Sequence, residues 1–343
     1  MIKTKQFSMS NRTFRLLAIL VGVALVSSAC FQRMADQSHE IIQANSSPLS
    51  LSSDDLTVHT FTGISSPRAI TYDGVNLWVA NIGMNTVTKI SKDGIVLGVY
   101  KVGNSPRALE FDGKDVWVAN SGKGSVDKLN LKGELIGTYP IGGGYTAPTS
   151  LLYHRGHIWV ASSWGDTVRK LDLDGKTLKT TRIPGLHPAP WALATDGTSV
   201  WLASLHQSVV HELGESAEIL HTYPIGLGSE TPWESGGRGP VDLVHDGANL
   251  WVATNWRHLV SKMNSNGELL GEYPVGAWPM AIAYDGATIW VASYRDDKVV
   301  RLDLEGKEIG TFATGRNPIA IEAIAGSIWI ANLGDNSLTK ITS

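Results

Sequence analysis

The sequence has little of several features that would point to a familiar class of enzyme. Cys30 is the only cysteine, which excludes an intrachain disulfide. Charged residues make up 18% of the chain and the net charge is −3, which argues against a basic surface for nucleic acid. The longest N-terminal apolar run, Leu16 to Val26, is too short to cross a bilayer comfortably. The patterns HExxH, GxSxG and GxxxxGK[ST] are missing, so no common catalytic motif suggests a reaction.

The first thirty residues have the features of an export signal. Small residues at positions 27–29 separate the apolar run from Cys30, and four basic residues precede that run: Lys3, Lys5, Arg12 and Arg15. This order is typical of a cleaved signal peptide. It also resembles the lipobox of bacterial lipoproteins, which implies cleavage after position 29 and a diacylglyceryl thioether on Cys30. The alternative is an ordinary secretory signal followed by a coincidental cysteine.

The segment after the cysteine is expected to hold a folded domain away from a membrane. Residues 30–54 are rich in Ser and Gln and lack periodicity, which predicts a flexible tether. The lipoprotein resemblance implies a lipid-anchored protein of the bacterial cell envelope. In a diderm bacterium, Phe31 after the cysteine implies the outer membrane. Loss of residues 1–29 removes four basic residues and no acidic ones, so the mature chain is more negatively charged. Nucleic acid is therefore not an expected partner.

Residues 55–343 contain a repeat that predicts the fold. Gly and Trp are abundant, at 36 and 12 residues, and a tryptophan recurs every 39 to 50 residues in a shared pattern of the form DG-x-x-apolar-W-apolar-A. These tryptophans are Trp78, Trp117, Trp159, Trp201, Trp251, Trp290 and Trp329. Every unit follows a proline, and the first six contain four apolar runs separated by turn residues. The period suits one four-stranded blade of a β-propeller, so we predict an all-β, seven-bladed propeller of antiparallel blades.

Two details of the repeat lead to further structural predictions. The Asp-Gly pairs predict type I′ hairpin turns between the first and second strands. The seventh unit stops after its third strand, and residues 56–63 resemble a fourth strand. We therefore expect an N-terminal strand to complete the last blade and close the ring. The recurring tryptophans are expected to pack between blades.

The repeat resembles propellers of the YVTN, NHL and streptogramin lyase (virginiamycin B lyase) group over residues 55–343. In the lyases, a histidine after the proline of late units acts with a glutamate and another histidine at a Mg²⁺ site. The matching positions here are Trp191, Val241, Met280 and Ile319, so the resemblance implies the fold without that chemistry. For a Ca²⁺ site like that of gluconolactonase-like propellers, Asn120 could be a ligand, but no matching inner glutamate is evident from the repeat.

The loops at one end of the predicted propeller are rich in aromatic residues. The loop over 226–240 is the one substantial insertion, and long loops on a rigid scaffold often carry function. Aromatic residues facing Asn and Arg suit a sugar, a peptide or a small aromatic molecule. The predicted ligand-binding residues are Trp164, Trp191, Trp233, Trp256, Trp278, Tyr294, Arg68, Arg107, Asn81, Asn120 and Asn332. Local backbone hydrogen bonding is the alternative role for the three asparagines.

We expect a non-catalytic, membrane-tethered binding or scaffold propeller that recognises a small molecule, a glycan, a peptide or an envelope protein. No cofactor or catalytic residue is assigned. The alternative is a metal-dependent enzyme, either a lyase of the virginiamycin B lyase type or a lactone hydrolase, with Mg²⁺ or Ca²⁺ bound. Such an enzyme would use His206, His258 and Asp296.

Overall fold

A computed structural model of the chain describes residues 56–142, 145–225, 239–324 and 326–342. The predicted signal peptide, Cys30 and the tether lie outside the described residues, as does Trp233 with most of its insertion. The described residues form 28 strands in seven four-stranded antiparallel sheets, as predicted. No helix in this part of the chain is long and apolar enough to span a bilayer.

Six blades are each built from four consecutive strands, numbered outward from the channel. Blade 1 contains β2 Pro67–Tyr72, β3 Leu77–Asn81, β4 Thr86–Ile90 and β5 Val96–Lys101. Blade 2 contains β6 Pro106–Phe111, β7 Val116–Asn120, β8 Ser125–Leu129 and β9 Leu135–Pro140. Blade 3 contains β10 Pro148–His154, β11 His157–Ser162, β12 Thr167–Leu171 and β13 Thr177–Arg182.

The later blades follow the same order. Blade 4 contains β14 Pro190–Thr195, β15 Val200–Ser204, β16 Val209–Leu213 and β17 Ile219–Pro224. Blade 5 contains β18 Pro240–His245, β19 Asn249–Thr254, β20 Leu259–Asn264 and β21 Leu269–Pro274. Blade 6 contains β22 Pro279–Tyr284, β23 Ile289–Ser293, β24 Lys298–Leu302 and β25 Glu308–Ala313. Blade 7 contains β26 Pro318–Ile324, β27 Ser327–Asn332, β28 Ser337–Thr342 and, from the start of the domain, β1 Thr57–Phe61.

The ring closes through the N-terminal strand, as predicted. β1 pairs with β28 in antiparallel register from Thr57 opposite Thr342 to Phe61 opposite Leu338. The ring of Phe61 stacks on Trp329 at 5.2 Å. The first strands of neighbouring blades contact each other around the whole ring, including blades 7 and 1. Closure therefore joins the first and last described strands in one sheet.

The recurring tryptophans pack between blades, as predicted, and all seven are at most 2% exposed. In five blades the indole Nε1–H donates to the aspartate of the Asp-Gly pair, for example Trp117 to Asp112 at 2.7 Å. A lysine of the third strand often lies over the ring and donates to a carbonyl of the next blade, as Lys128 does to Leu173 at 2.8 Å. The second strands are buried on both faces because each is covered by a blade on either side.

The predicted type I′ turns are wrong. Tyr72 pairs with Leu77, so four residues form the loop, and among Asp73 and Gly74 only the glycine has a positive φ. The Asp73 carboxylate accepts the backbone N–H groups of Val75 at 2.8 Å and Asn76 at 2.6 Å. These hydrogen bonds hold a longer aspartate-centred loop, and they place the second carboxylate oxygen beside the tryptophan.

Candidate functional site

The loops that enter the first strands and the loops that follow the second strands lie on one face, which we call the mouth face. Each entry proline pairs with the last residue of the second strand, as Pro67 does with Asn81. The residue that follows the second strand donates its N–H to the carbonyl of the residue that precedes the proline, as Ile82 does to Ser66 at 3.0 Å. The same contact recurs in blade 6, from Tyr294 to Trp278 at 2.9 Å. The repeat thus brings two loop positions of every blade together at this face.

A cavity of about 350 Å³ opens at the mouth face. Its lining comes mostly from two repeat positions, the residue after the entry proline and the residue after the second strand. The first position contributes Arg68, Arg107, Trp191, Val241, Met280 and Ile319. The second contributes Leu205, Asn255, Tyr294 and Leu333, and the loop residue Trp278 completes the set. The volume is at the low end for small-molecule pockets, which are about 300–1,000 Å³.

Aromatic rings form a continuous stack on the side of blades 5 and 6. The ring of Trp278 lies 6.4 Å from Tyr294 in a stacked arrangement and 5.1 Å from Trp256 in a tilted one. The guanidinium of Arg295 lies over Trp278 at 3.5 Å. Trp256 is 40% exposed and forms the outer rim, whereas Trp278 and Tyr294 line the cavity. Trp278 and Tyr294 therefore give the cavity an aromatic wall that is already held in place, and the guanidinium of Arg295 covers part of the Trp278 ring.

The backbone at Trp278 has a conformation that bulky residues rarely adopt. The residue before the entry proline has a positive φ in six blades. In five of these blades it is a small or medium-sized residue, namely Ser66, Ser105, Ala147, Ala189 or Asn317. Trp278 has φ +57° at this position. Left-handed backbone costs an L-residue roughly 1–2 kcal/mol, least for Asn and Gly. Because five other blades share this positive φ, the conformation is a property of the repeat, and Trp278 is the bulkiest of the six residues that adopt it.

Two arginines line the same cavity from blades 1 and 2. Burial, and then the charge of Arg107, lower the pKa of Arg68 to about 10, while Asp242 and Tyr294 raise it. Burial also lowers the pKa of Arg107, whose guanidinium lies 5.2 Å from the ring of Trp191. Both groups remain cationic at neutral pH, so the cavity combines positive charge with aromatic faces.

Three acidic side chains of the first strands also carry shifted pKa values. Burial raises the pKa of Asp242 to about 7, against backbone hydrogen bonds from Ile282 and Leu243 and the charge of Arg68, which lower it. Burial raises the pKa of Glu110 to about 8 despite a hydrogen bond from the Tyr153 N–H. Burial and the charge of Glu110 raise the pKa of Glu322 to about 8. Glu110 is three residues beyond Arg107, or about 10 Å deeper along the strand.

The structure places only some of the predicted ligand-binding residues at the cavity. Trp191, Trp278, Tyr294, Arg68 and Arg107 line it, and Trp256 stands at its rim. Trp164 is 75% exposed and is outside the lining set, and Trp233 lies outside the described residues.

The three asparagines lie at the ends of second strands, as the sequence suggested, but outside the cavity lining. Asn81, Asn120 and Asn332 are buried at the ends of second strands and are not among the cavity-lining residues. The Nδ2 of Asn81 donates to Thr86 and Thr88, and the other two amides contact the third strand in the same way. The amide nitrogens thus join strands within a blade, whereas the three Oδ1 atoms are buried and have no hydrogen-bond partner among the described residues. The role of these asparagines as ligand contacts stays a prediction.

The cavity also contains residues that the sequence interpretation did not select as a site. Leu205, Asn255 and Leu333 occupy the same repeat position as Tyr294. The repeat alignment could have predicted these three residues, because Tyr294, which occupies the same repeat position in blade 6, was already selected for its ring. Val241, Met280 and Ile319 were considered only as positions where the lyases have other residues, and they too line the cavity.

The side chains of the alternative enzyme hypothesis contact backbone groups. The Nδ1 atom of His258 accepts the N–H of Trp278 at 3.1 Å, and Asp296 accepts the N–H of Ala277 at 2.9 Å. Asp296 also pairs with Lys298 at 3.5 Å, and His206 Nδ1 lies 3.2 Å from the carbonyl of His187. Within the described ranges, no group of three or more His, Cys, Asp or Glu is arranged to hold a metal ion.

A second, smaller cavity of about 180 Å³ lies on the opposite face between blades 6 and 7. Asp285 and Arg301 line it beside Trp290, and Asp285 accepts the Nε1–H of that tryptophan at 2.7 Å. It forms where blade 7 takes its fourth strand from the other end of the domain and so has no turn after its third strand. Its charged groups are engaged in blade packing, so the mouth cavity is the better candidate site.

Comparison with solved structures shows the propeller fold. Virginiamycin B lyase from Staphylococcus aureus matches with a TM-score of 0.74 and 19% identity over 84% of this chain and 100% of the other. A streptogramin B lyase structure matches with a TM-score of 0.74 and 17% identity over 85% and 99%. Hydrazine synthase of Kuenenia stuttgartiensis matches with a TM-score of 0.69 and 16% identity over 83% and 97%. No family model and no curated protein sequence matches the chain.

Proposed function

We propose that this chain is a non-catalytic binding propeller of the bacterial envelope, tethered through a lipid on Cys30. Its ligand would be a small aromatic molecule or an aromatic group of a peptide or glycoconjugate. The observation that carries the proposal is the mouth cavity, where Trp191, Trp278 and Tyr294 present rings around a space suited to one such group. Stacking adds about 0.5–1.5 kcal/mol to the burial of each ring.

The fold similarity to streptogramin lyases is compatible with this proposal. The positions where those lyases carry a catalytic histidine correspond here to Trp191, Val241, Met280 and Ile319, and all four line the cavity. The same mouth would therefore be used for recognition, with apolar and aromatic side chains in place of groups that transfer protons.

Replacement of Trp278 tests the proposal with a matched control. Trp278→Asn introduces the residue that blade 7 has at this position, so the positive φ is tolerated and folding should be retained. Trp164→Asn removes an exposed ring from the same face but outside the cavity. The probe is N-acetyltryptophanamide, an uncharged aromatic molecule, titrated into full-length protein in detergent and followed by calorimetry.

We expect W278N to weaken probe binding about tenfold, which corresponds to about 1.4 kcal/mol, and W164N to leave it unchanged. Thermal unfolding of both variants checks that the fold is retained. Equal affinities of W278N and wild type would refute the assignment of the site. Failure of the wild type to bind the probe at all would refute the proposed ligand class.

A further inference from the structure

We infer that the ligand of the mouth cavity is a monoanion, with a carboxylate bound by Arg68 and Arg107 and its flat apolar part against the aromatic stack. This rests on the proposed binding function and specifies the ligand class. The two guanidiniums line the same cavity as the rings of Trp191, Trp278 and Tyr294.

Among the described residues, neither arginine forms a direct ion pair. The ion pairs found among the described residues involve other side chains. The Nε atom of Arg107 is buried and has no hydrogen-bond partner within the described part of the chain. The two like charges are close enough for Arg107 to lower the pKa of Arg68. Asp242 offsets only part of this charge, so the remaining repulsion between the two guanidiniums costs free energy that a bound anion would recover.

The charge balance favours one negative charge on the ligand. Asp242 is the carboxylate whose charge affects Arg68, and its oxygens accept backbone N–H groups of Leu243 at 3.0 Å and Ile282 at 2.9 Å. With Asp242 ionised, the two arginines leave a net charge of about +1, which a single carboxylate balances. A dianionic phosphate would exceed this charge and would be repelled by Asp242.

The cavity places the two arginines beside aromatic side chains, which suits a ligand with a carboxylate attached to a flat group. The guanidinium of Arg107 lies over the ring of Trp191 at 5.2 Å, so positive charge and aromatic surface adjoin within the cavity. Tyr294 lines the cavity and is close enough to Arg68 to affect its pKa. A carboxylate within hydrogen-bond reach of the guanidiniums would therefore place the attached ring or amide beside the Trp278 and Tyr294 faces.

The test compares two probes that differ in charge and share one ring. N-acetyltryptophan carries a carboxylate, and N-acetyltryptophanamide is its uncharged counterpart. At pH 8 and low ionic strength, we expect wild type to bind the carboxylate at least about tenfold more tightly, as for a hydrogen bond to a charged group. Phenyl phosphate should bind more weakly than the carboxylate. Equal binding of the two tryptophan probes would overturn the inference and leave the proposed binding function intact.

Two variants should change the carboxylate preference in opposite directions. Arg107→Gln removes one cation and should reduce the preference, measured as the ratio of the two affinities in the same variant, to about threefold or less. Asp242→Asn removes the opposing charge at pH 8 and should increase the preference. A preference unchanged in R107Q, or unchanged in D242N, would overturn the assignment, and each variant is informative if the other does not fold.

Discussion

The hydrogen bond between a buried tryptophan and the aspartate of the adjoining loop is present in some blades and not in others, which permits a controlled test of its energy. Trp251 donates to Asp246 at 2.7 Å. Trp159 occupies the same repeat position in blade 3, and its Nε1 has no partner among the described residues. Both rings are fully buried, and each lies beneath a lysine, Lys262 at 5.0 Å and Lys170 at 5.6 Å.

We expect Trp251→Phe to destabilise the fold more than Trp159→Phe. Both changes remove the same volume, so their cavity costs largely cancel in the comparison. W251F also breaks a hydrogen bond to a carboxylate, worth about 1.5–3 kcal/mol, whereas W159F removes a buried donor that was already unsatisfied. The expected difference in the free energy of unfolding is roughly 2–4 kcal/mol. For a domain of this size it corresponds to a difference of roughly 4–8 °C in the midpoint of thermal unfolding.

Circular dichroism at 218 nm suits the measurement because it does not depend on tryptophan emission. Burial alone raises the pKa of Asp246, but hydrogen bonds from Trp251 and the backbone lower it overall. The carboxylate is therefore ionised at neutral pH, where the comparison is made. Equal midpoint shifts in W251F and W159F would refute the idea that these hydrogen bonds contribute to blade stability.

Two further predictions concern pH and anchoring. Glu322→Gln should raise the unfolding midpoint relative to wild type at pH 9 and change it little at pH 5. The folded pKa of about 8 exceeds the ordinary value near 4.3, so the stability contribution of Glu322 is full below about pH 4 and is lost as pH rises through about 8. A midpoint difference independent of pH would contradict this. Cys30→Ser should move the protein from the detergent phase to the aqueous phase in Triton X-114 partition, because the predicted thioether would be lost; continued detergent partition would contradict lipid anchoring through this residue.

The sequence made the blade architecture predictable because the same residue types recur at the same positions. Seven tryptophans, the prolines before the first strands and the turn residues defined the period, and residues 56–63 supplied the missing strand. The Asp-Gly turns were predicted incorrectly because local propensity favours a two-residue hairpin. In the structure, the Asp73 carboxylate holds a longer loop by bonding Val75, Asn76 and Trp78 together.

The candidate site was only partly predictable. Trp278, Tyr294 and Trp191 could be selected because aromatic residues in loops depart from the repeat. Asn81 was selected as a polar residue at a strand end on the mouth face, and it is buried with its amide against Thr88, since a side chain at a strand end can turn into the blade. The composition of a loop position does not reveal which way its side chain points.

What the sequence alone determined is the number of blades, their order and the strand that closes the ring, because these follow from local patterns repeated along the chain. Only the tertiary structure placed Arg68 and Arg107 beside rings from blades 4 and 6, although these residues are far apart in sequence. The physical reason is ring closure: it brings equivalent positions of all blades around one channel, where burial and neighbouring charges then set their pKa values.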